Sequence, residues 1–280
     1  MEAEVSGLIR VFPRRTSMTP IDEYTFVGDS PLWRPDADEV HVSVTFTWDV
    51  SEGERLAAAW SHYYRTVKLG GPAIAGSNEG FVSGRYVKSG VTFTSRGCPN
   101  VCPWCLVPRR EGKLKLLDIE PGHVIQDNNF LATPRSHRLA VYEMLRSQSR
   151  AAIFSGGFES ARVNDEVADE LKSIRVGALF LAADSPGACD PLQVAVDRLK
   201  FLGLRSNKLR CYVMIGYNGE SLQQAETRLE TVWEIGCLPF AQLYQPEDQY
   251  IYYPSAWRQL SRKWSRPAAI RAAHTTGGGR

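Results

Sequence analysis

The sequence predicts an α/β fold with a parallel sheet and helices outside it. From about Val91 onward, short apolar runs alternate with segments of helical periodicity. Repeated strand-then-helix units are typical of parallel sheets that are covered by their crossover helices. With 280 residues, 43% of them hydrophobic, the chain is long enough for one large domain or a medium domain with a small companion.

Six runs have the length and composition of buried strands. They are Val91–Ser95, Val124–Asp127, Ala152–Ser155, Ala178–Ala183, Arg210–Gly216 and Pro239–Tyr244. Amphipathic segments follow most of these strands and predict helices over Arg138–Gln148, Asn164–Ile174, Leu192–Leu202, Leu222–Ile235 and Ala256–Trp264. We therefore expect one domain of strand–helix units over residues 89–250.

The two ends of the chain have different patterns. Within residues 1–88, the part up to about Asp38 is rich in Pro, Arg and Thr and predicts an arm. After the arm we expect a small βαβ unit, formed by the strand His41–Trp48, the helix Glu52–Tyr63 and the strand Arg65–Leu69. Residues 251–280 predict a basic C-terminal helix and a tail.

The composition excludes several classes of protein. The net charge is only +2 at pH 7, so the chain as a whole is not a strongly basic nucleic-acid binder. No segment approaches the run of about 18 apolar residues that a membrane helix needs. The N-terminal segment MEAEVSGLIRVF carries acids and lacks an apolar export segment. We expect a cytoplasmic protein.

Three of the six cysteines lie within eight residues, directly after the first predicted strand. Their spacing is Cys98-x3-Cys102-x2-Cys105. Thiolates are the preferred ligands of iron–sulfur clusters, and three of them can hold three irons of a cubane while the fourth iron stays open to a small molecule. Zinc is an alternative, but zinc sites usually have four protein ligands, and the nearest candidates for a fourth are His123 and His137.

The segment SRGCPNVCPWCLVPRREG resembles the signature of the radical S-adenosylmethionine (radical SAM) superfamily, with Trp104 in the aromatic position before the third cysteine. The sequence of this motif is most similar to that of the branch that contains methylthiotransferases and cobalamin-binding members. The resemblance covers about residues 88–250 and implies a partial (β/α)6 barrel, with the N-terminal βαβ unit as a degenerate Rossmann-like piece. It also implies a [4Fe–4S] cluster, S-adenosylmethionine as cosubstrate and a one-electron reductant such as flavodoxin or ferredoxin.

The resemblance further implies where the cosubstrate amine binds. The family uses a polar motif at the end of the second strand, where this sequence has Asp127, Asn128 and Asn129. A second candidate follows the third strand and is closer by letters to the Gly-Gly-Glu motif of the family. It consists of Gly156, Gly157 and Glu159, although a glycine pair also commonly marks a simple turn. We expect the first motif to bind the amine.

The other expected contacts lie at the ends of the later strands. Asp184 and Ser185 end the fourth strand, where the resemblance implies contacts to the ribose. Ile215 and Gly216 end the fifth strand and would flank the adenine. The following Glu220 belongs to a turn similar to one in methylthiotransferases, but it could instead simply begin a helix, because acids favour helix N-termini.

The sequence departs from these relatives in its accessory parts. Residues 1–90 contain no cysteine, which argues against a methylthiotransferase with its second cluster. The Asp-x-His-x-x-Gly motif of cobalamin binders is absent, although a radical methyltransferase remains an alternative. A cluster-carrying binding or regulatory protein and a zinc-stabilised nucleic-acid module are further alternatives. The sequence indicates neither the substrate nor the oligomeric state.

A basic segment follows the third cysteine and suggests an anionic partner. Arg109, Arg110 and Lys113 would form a cationic rim suited to a nucleotide or nucleic acid. The same cations could instead serve the cosubstrate carboxylate or a reducing flavoprotein. The remaining cysteines, Cys189, Cys211 and Cys237, are expected to be small buried residues.

Overall fold

Parallel strands with helices between them form both large sheets of the protein, so the predicted α/β class is confirmed. The structure is a computed structural model that describes residues 7–74 and 80–275. The chain divides into two units, Met1–Val91 with Glu247–Tyr250, and Thr92–Pro246 with Ile251–Arg280.

The first unit is a four-stranded parallel sheet with one helix. In chain order its elements are β1 (Leu8–Phe12), β2 (Thr25–Val27), β3 (Glu39–Ser43), α1 (Val50–Trp60) and β4 (Val67–Gly70). The strands lie in the order β2-β1-β3-β4, and all three pairings are parallel. The core consists of strand residues such as Ile9 and Val42, which pack with Leu56 and Trp60 of α1.

The prediction of an N-terminal arm is wrong for the described part of that segment. Leu8–Phe12 and Thr25–Val27 are strands, and β1 lies at the centre of the sheet between β2 and β3. The apolar residues Ile9 and Val11 are fully buried there, so burial orders a segment whose Pro and Arg content suggests a loop. Residues 1–6 of the predicted arm lie outside the described residues. The predicted strand His41–Trp48 is also too long, since a 3₁₀ turn occupies Thr47–Asp49.

All six predicted strands lie in one sheet, which belongs to the second unit apart from Val91 at the start of its first strand. These strands are β5 (Val91–Thr92), β8 (Val124–Ile125), β9 (Ala152–Phe154), β10 (Val176–Ala182), β11 (Leu209–Ile215) and β12 (Leu238–Leu243). They lie side by side in chain order, and the pairings from β8 to β12 are all parallel. Within the described residues β5 and β12 remain the two edges of an open sheet.

Helices connect these strands and cover one face of the sheet. They are α3 (Arg135–Arg146), α4 (Asp165–Leu171), α5 (Cys189–Phe201) and α6 (Leu222–Ile235). Crossovers between parallel strands share one hand, so strands in chain order place their helices on the same side. The alternation along β11 reflects this arrangement, since Cys211 and Val213 are fully buried while Tyr212 and Met214 are half-buried on the other face.

The first predicted strand, Val91–Ser95, is split in two. After β5 the chain forms β6 (Ser95–Arg96), which pairs antiparallel with β7 (Lys115–Leu116). This short ladder closes the base of residues 97–114, which we call the cysteine loop. A short helix, α2 (Val107–Arg110), lies inside the loop. The cysteine loop is therefore an excursion from the sheet with a clamped base.

The C-terminal segment belongs to the core of the second unit. It forms α7 (Ser255–Trp264), as predicted, and a further helix, α8 (Pro267–Thr275). Leu260, Trp264 and Ile270 pack with the sheet and the other helices in one hydrophobic cluster. Residues 276–280 of the predicted tail lie outside the described residues. No helix in the described part of the chain is both long and apolar enough to cross a membrane.

Helix α7 is anchored in the core by a buried tryptophan. Trp264 is only 1% exposed. We expect Trp264→Ala to lower the free energy of unfolding by about 3–5 kcal/mol, as is typical when a buried aromatic side chain is deleted. The matched control is Trp33→Ala, since Trp33 is 77% exposed. Urea denaturation measures both variants, and equal stabilities would show that α7 is not part of the core.

Candidate functional site

The cysteine loop brings the three clustered cysteines together near the carboxyl ends of the strands. Cys98, Cys102 and Cys105 are half-buried free thiols. Cys105 and Cys98 both act electrostatically on Cys102, and the backbone N–H of Cys105 donates to the carbonyl of Cys102 (3.0 Å). The three thiols therefore lie on one loop, with Cys98 and Cys105 close enough to Cys102 to influence its ionisation.

Glycine is needed where the chain enters this loop. Gly97 has φ +77°, and a Cβ there would lie 2.3 Å from the carbonyl oxygen of Lys113. Close packing of the two sides of the loop lets the backbone N–H of Cys98 donate to the Gly112 carbonyl (3.3 Å). An ion pair between Arg96 and Glu111 crosses the loop just above its base. These contacts fix the direction in which the first thiol leaves the sheet.

The environment of Cys102 and Cys105 favours the protonated form of these two thiols. Burial raises the pKa of Cys102, and the neighbouring thiols of Cys105 and Cys98 raise it further. Burial also raises the pKa of Cys105, against a smaller opposing effect of the Val107 backbone hydrogen bond. Metals and clusters bind thiolates, so binding at this loop must release protons.

Asp127 holds the chain that leads into the cysteine loop. It follows β8, is only 1% exposed, and accepts three hydrogen bonds. The backbone N–H of Thr94 donates to Oδ1 (2.6 Å), and the hydroxyls of Thr94 (2.6 Å) and Ser95 (2.7 Å) donate to Oδ2. Three of the roughly four acceptor positions of a carboxylate are therefore used within the protein. This geometry gives Asp127 a positioning role.

The two predicted amine-binding motifs pack against each other. A Cβ on Gly156 would lie 1.9 Å from the carbonyl oxygen of Asp127, and one on Gly157 would lie 1.9 Å from that of Asn128. The backbone N–H of Gly157 donates to the Asp127 carbonyl (2.8 Å). The glycine pair is thus a close contact between neighbouring strand ends as well as a turn. The side chain of Asn128 accepts from the backbone N–H of Gly97 (3.2 Å).

Asn129 and Glu159 join the two motifs beside the first thiol. The amide nitrogen of Asn129 donates to a carboxylate oxygen of Glu159 (2.7 Å) and to Cys98 Sγ (3.6 Å). The Oδ1 of Asn129 is buried and has no hydrogen-bond partner among the described residues. An unpartnered buried acceptor costs free energy, so its presence beside a carboxylate suggests a place for a ligand donor.

Glu159 remains anionic despite its burial. Burial alone would raise the pKa of Glu159, but hydrogen bonds from Asn129, Arg162 and Asn100 together hold it below the ordinary value. Arg162 also forms an ion pair with this carboxylate (2.6 Å). Asn100 lies between the first two cysteines, so Glu159 links the cysteine loop to the end of β9.

Asp184 lies at the end of β10, close enough to the cysteine loop for its charge to influence two of the thiols. Burial raises the pKa of Asp184, against smaller opposing effects of the hydrogen bond from the Met214 backbone N–H (2.9 Å) and of the positive charge of Arg228. The charge of Asp184 also raises the pKa of both Cys102 and Cys105. The neighbouring Ser185 is half-buried, and its side chain does not cap the 3₁₀ turn that follows it.

The end of β11 is a turn held by a buried ion pair. Gly216 has φ +80°, and its backbone N–H donates to the carboxylate of Glu220 (2.9 Å). Glu220 also pairs with the buried Arg228, so it closes the turn, while Ser221 is the residue that caps α6. The side chain of Ile215 is fully buried in the core, which leaves only its backbone to border a ligand.

Aromatic residues line the gap between the cysteine loop and β11. The rings of Trp104 and Tyr217 meet edge to face with centroids 5.6 Å apart, and Tyr217 meets Tyr244 in the same way at 4.9 Å. Sequence reasoning missed both tyrosines, although Tyr217 directly follows Gly216 in the predicted contact turn.

The cationic residues of the loop differ in exposure, since Arg109 and Lys113 are exposed whereas Arg110 is half-buried.

The possible metal donors of the cysteine loop are three thiols. Within residues 7–74 and 80–275, no three His, Cys, Asp or Glu side chains converge to hold one ion. In a cubane each thiolate binds a different iron, so the three sulfurs need not converge on one point. Three thiols of one loop are a ligand set that a cubane with one open iron can take.

No protein-family model matches this chain, and a search of curated proteins gives no significant match either. Its class therefore rests on the fold and the site. It is an α/β protein whose three clustered thiols lie over the polar ends of parallel strands.

Asp127 and Asn129 differ in how far their polar atoms are used within the protein. We expect Asp127→Ala to lower the free energy of unfolding by at least about 3 kcal/mol, because three donors would lose their acceptor. Asn129→Ala should cost only about 1 kcal/mol, since it removes one neutral donor and an acceptor that is already unpartnered. Urea denaturation at pH 7 compares the two, and equal losses would contradict the assignment.

Proposed function

We propose that this protein is a radical SAM enzyme in which Cys98, Cys102 and Cys105 hold a [4Fe–4S] cluster and the neighbouring strand ends bind S-adenosylmethionine. When bound, this pair supplies reductive cleavage of the sulfonium to a 5′-deoxyadenosyl radical that abstracts hydrogen from a substrate. The observation that carries the proposal is the contact of Asn129 with Cys98 and Glu159.

The proposed amine contacts follow from that observation. An ammonium group needs acceptors, and the site offers the unpartnered Oδ1 of Asn129 and the anionic carboxylate of Glu159. Because Asn129 also touches Cys98, a group bound there would lie beside the thiols. The amine site is shaped by the backbone packing of Gly156 and Gly157. Asn128 and Asp127 support it through their hydrogen bonds to the chain that enters the cysteine loop.

The proposed nucleoside contacts lie on the next two strand ends. Asp184 offers a carboxylate for ribose hydroxyls, with Ser185 beside it. The backbone at Ile215 and Gly216, together with the Tyr217 ring, would border the adenine, because rings stack on flat peptide and aromatic surfaces. Trp104 in the loop would close this side.

The finer fold assignment is part of the same proposal. Six strands in chain order with helices on one face are the arrangement from which a partial (β/α)6 barrel is built. We place the protein in the cytoplasm, where reduced thiols persist and flavodoxin or ferredoxin would supply the electron. The exposed cations Arg109 and Lys113 favour an anionic partner such as a nucleotide or nucleic acid.

Metal analysis tests the cluster. Anaerobically purified protein should be brown and contain about four irons and four sulfides per chain. The variant with Cys98→Ala, Cys102→Ala and Cys105→Ala should lose both, because no ligand would remain. The matched controls Cys189→Ala and Cys237→Ala should keep the full iron content. One zinc per chain in place of iron would contradict the proposal.

A further inference from the structure

The face of the larger sheet that is turned away from its helices carries a row of aromatic rings. Phe180 on β10, Tyr212 on β11 and Phe240 on β12 lie on three neighbouring strands. Tyr212 stacks on Phe180 with centroids 5.0 Å apart and meets Phe240 edge to face at 5.7 Å. All three rings are half-buried. We call these three residues the aromatic floor.

One cation, Arg210, lies on the aromatic floor without an anionic partner in the part of the chain that the structure describes. Arg210 is the register partner of Phe180, and its guanidinium carbon lies 5.3 Å from the Phe180 ring centroid. Its Nε is buried without a hydrogen-bond partner, and no ion pair within residues 7–74 and 80–275 involves Arg210. A half-buried guanidinium normally has a counter-charge, because desolvation of an unpaired cation costs free energy.

The space above the aromatic floor is open. Ala182 is the register partner of Tyr212 and is exposed, although it lies in an inner strand of the sheet. Gln242, two residues after Phe240 on the same face of β12, is exposed as well. If the rings served only to fill an interior, they would be buried and the cation would be paired. The observed arrangement has neither property.

We infer that the aromatic floor and Arg210 bind a planar heteroaromatic ring that carries an anionic group, which is the chemistry of a nucleoside monophosphate. The ring stacks on the aromatic floor, and the phosphate pairs with Arg210. This inference rests on the proposed function, because the nucleotide would be the substrate of the proposed radical SAM enzyme. Two strands of the aromatic floor lead to Asp184 and Gly216, where S-adenosylmethionine is proposed to bind. A compact nucleotide fits this face, since the floor spans only three strands.

Isothermal titration calorimetry tests the inference. The protein in the calorimeter cell is iron-loaded and holds S-adenosylmethionine, and the probes are titrated into it. The probes are the four common nucleoside monophosphates, their nucleosides, and ribose 5-phosphate. At least one nucleotide should bind about tenfold or more tightly than its nucleoside and than ribose 5-phosphate, because only the nucleotide uses both the ring and the charge.

Three variants localise the binding. Tyr212→Ala should weaken nucleotide binding about tenfold through lost stacking. Arg210→Gln should reduce nucleotide affinity to that of the nucleoside and leave nucleoside affinity unchanged. Ala182→Leu should also block binding; it fills the open space and removes no core contact, so it remains informative if Tyr212→Ala fails to fold. The matched controls are Phe201→Ala and Arg205→Gln, because both side chains are exposed elsewhere.

Absence of nucleotide binding, or binding by the Arg210→Gln and Ala182→Leu variants that equals the wild type, would overturn the inference. Iron content and reductive cleavage of S-adenosylmethionine are measured on the same preparations. Cleavage without nucleotide binding refutes only this inference. Protein that takes up no iron refutes the proposed function, while the same titration of the iron-free protein still decides whether the aromatic floor binds nucleotides.

Discussion

The buried carboxylate of Asp127 is the interaction on which the site depends. It binds Thr94 and Ser95, the residues that connect the first strand of the sheet to the base of the cysteine loop. A carboxylate that is 1% exposed is stable only when it is hydrogen-bonded, so this contact fixes one geometry of the chain. The packing of Gly156 and Gly157 against the neighbouring backbone then places β9 and its Glu159 at the same point.

The position of the loop decides which side chains can act together. With the loop held at β8, Cys98 lies beside Asn129, and Asn100 reaches Glu159. On the other side of the site, Trp104 contacts Tyr217 at the end of β11. The loop therefore spans the carboxyl ends of the parallel strands, the edge where α/β sheets usually bind ligands. The face of the sheet that lies opposite the aromatic floor is covered by the helices and packs into the hydrophobic core.

Much of this arrangement could be predicted from the sequence. Apolar runs bounded by turns located all six strands, and the carboxyl ends of parallel strands necessarily meet at one edge, which brings Asn129, Glu159 and Asp184 together. The strands β1 and β2 were missed because tertiary burial of Ile9 and Val11 overrides a composition typical of loops.

The roles of single side chains were harder to predict, because they depend on distances that spacing does not contain. Asp127 and Asn129 look equivalent in the sequence, yet one has its carboxylate bound inside the protein and the other keeps a free acceptor. Ile215 and Gly216 are adjacent, but the strand alternation buries the first side chain in the core. Arg210 looks like an ordinary strand residue until its unpaired position over Phe180 is known.

Analysis of the reaction products distinguishes the proposed radical chemistry at the cysteine loop from a cluster that is only structural. Iron-loaded protein is incubated anaerobically with S-adenosylmethionine and dithionite, and 5′-deoxyadenosine and methionine are measured by mass spectrometry. We expect both products in equal amounts from the wild type and neither from the variant that lacks Cys98, Cys102 and Cys105. Fully iron-loaded wild-type protein that forms no 5′-deoxyadenosine would show that this protein is not a radical SAM enzyme.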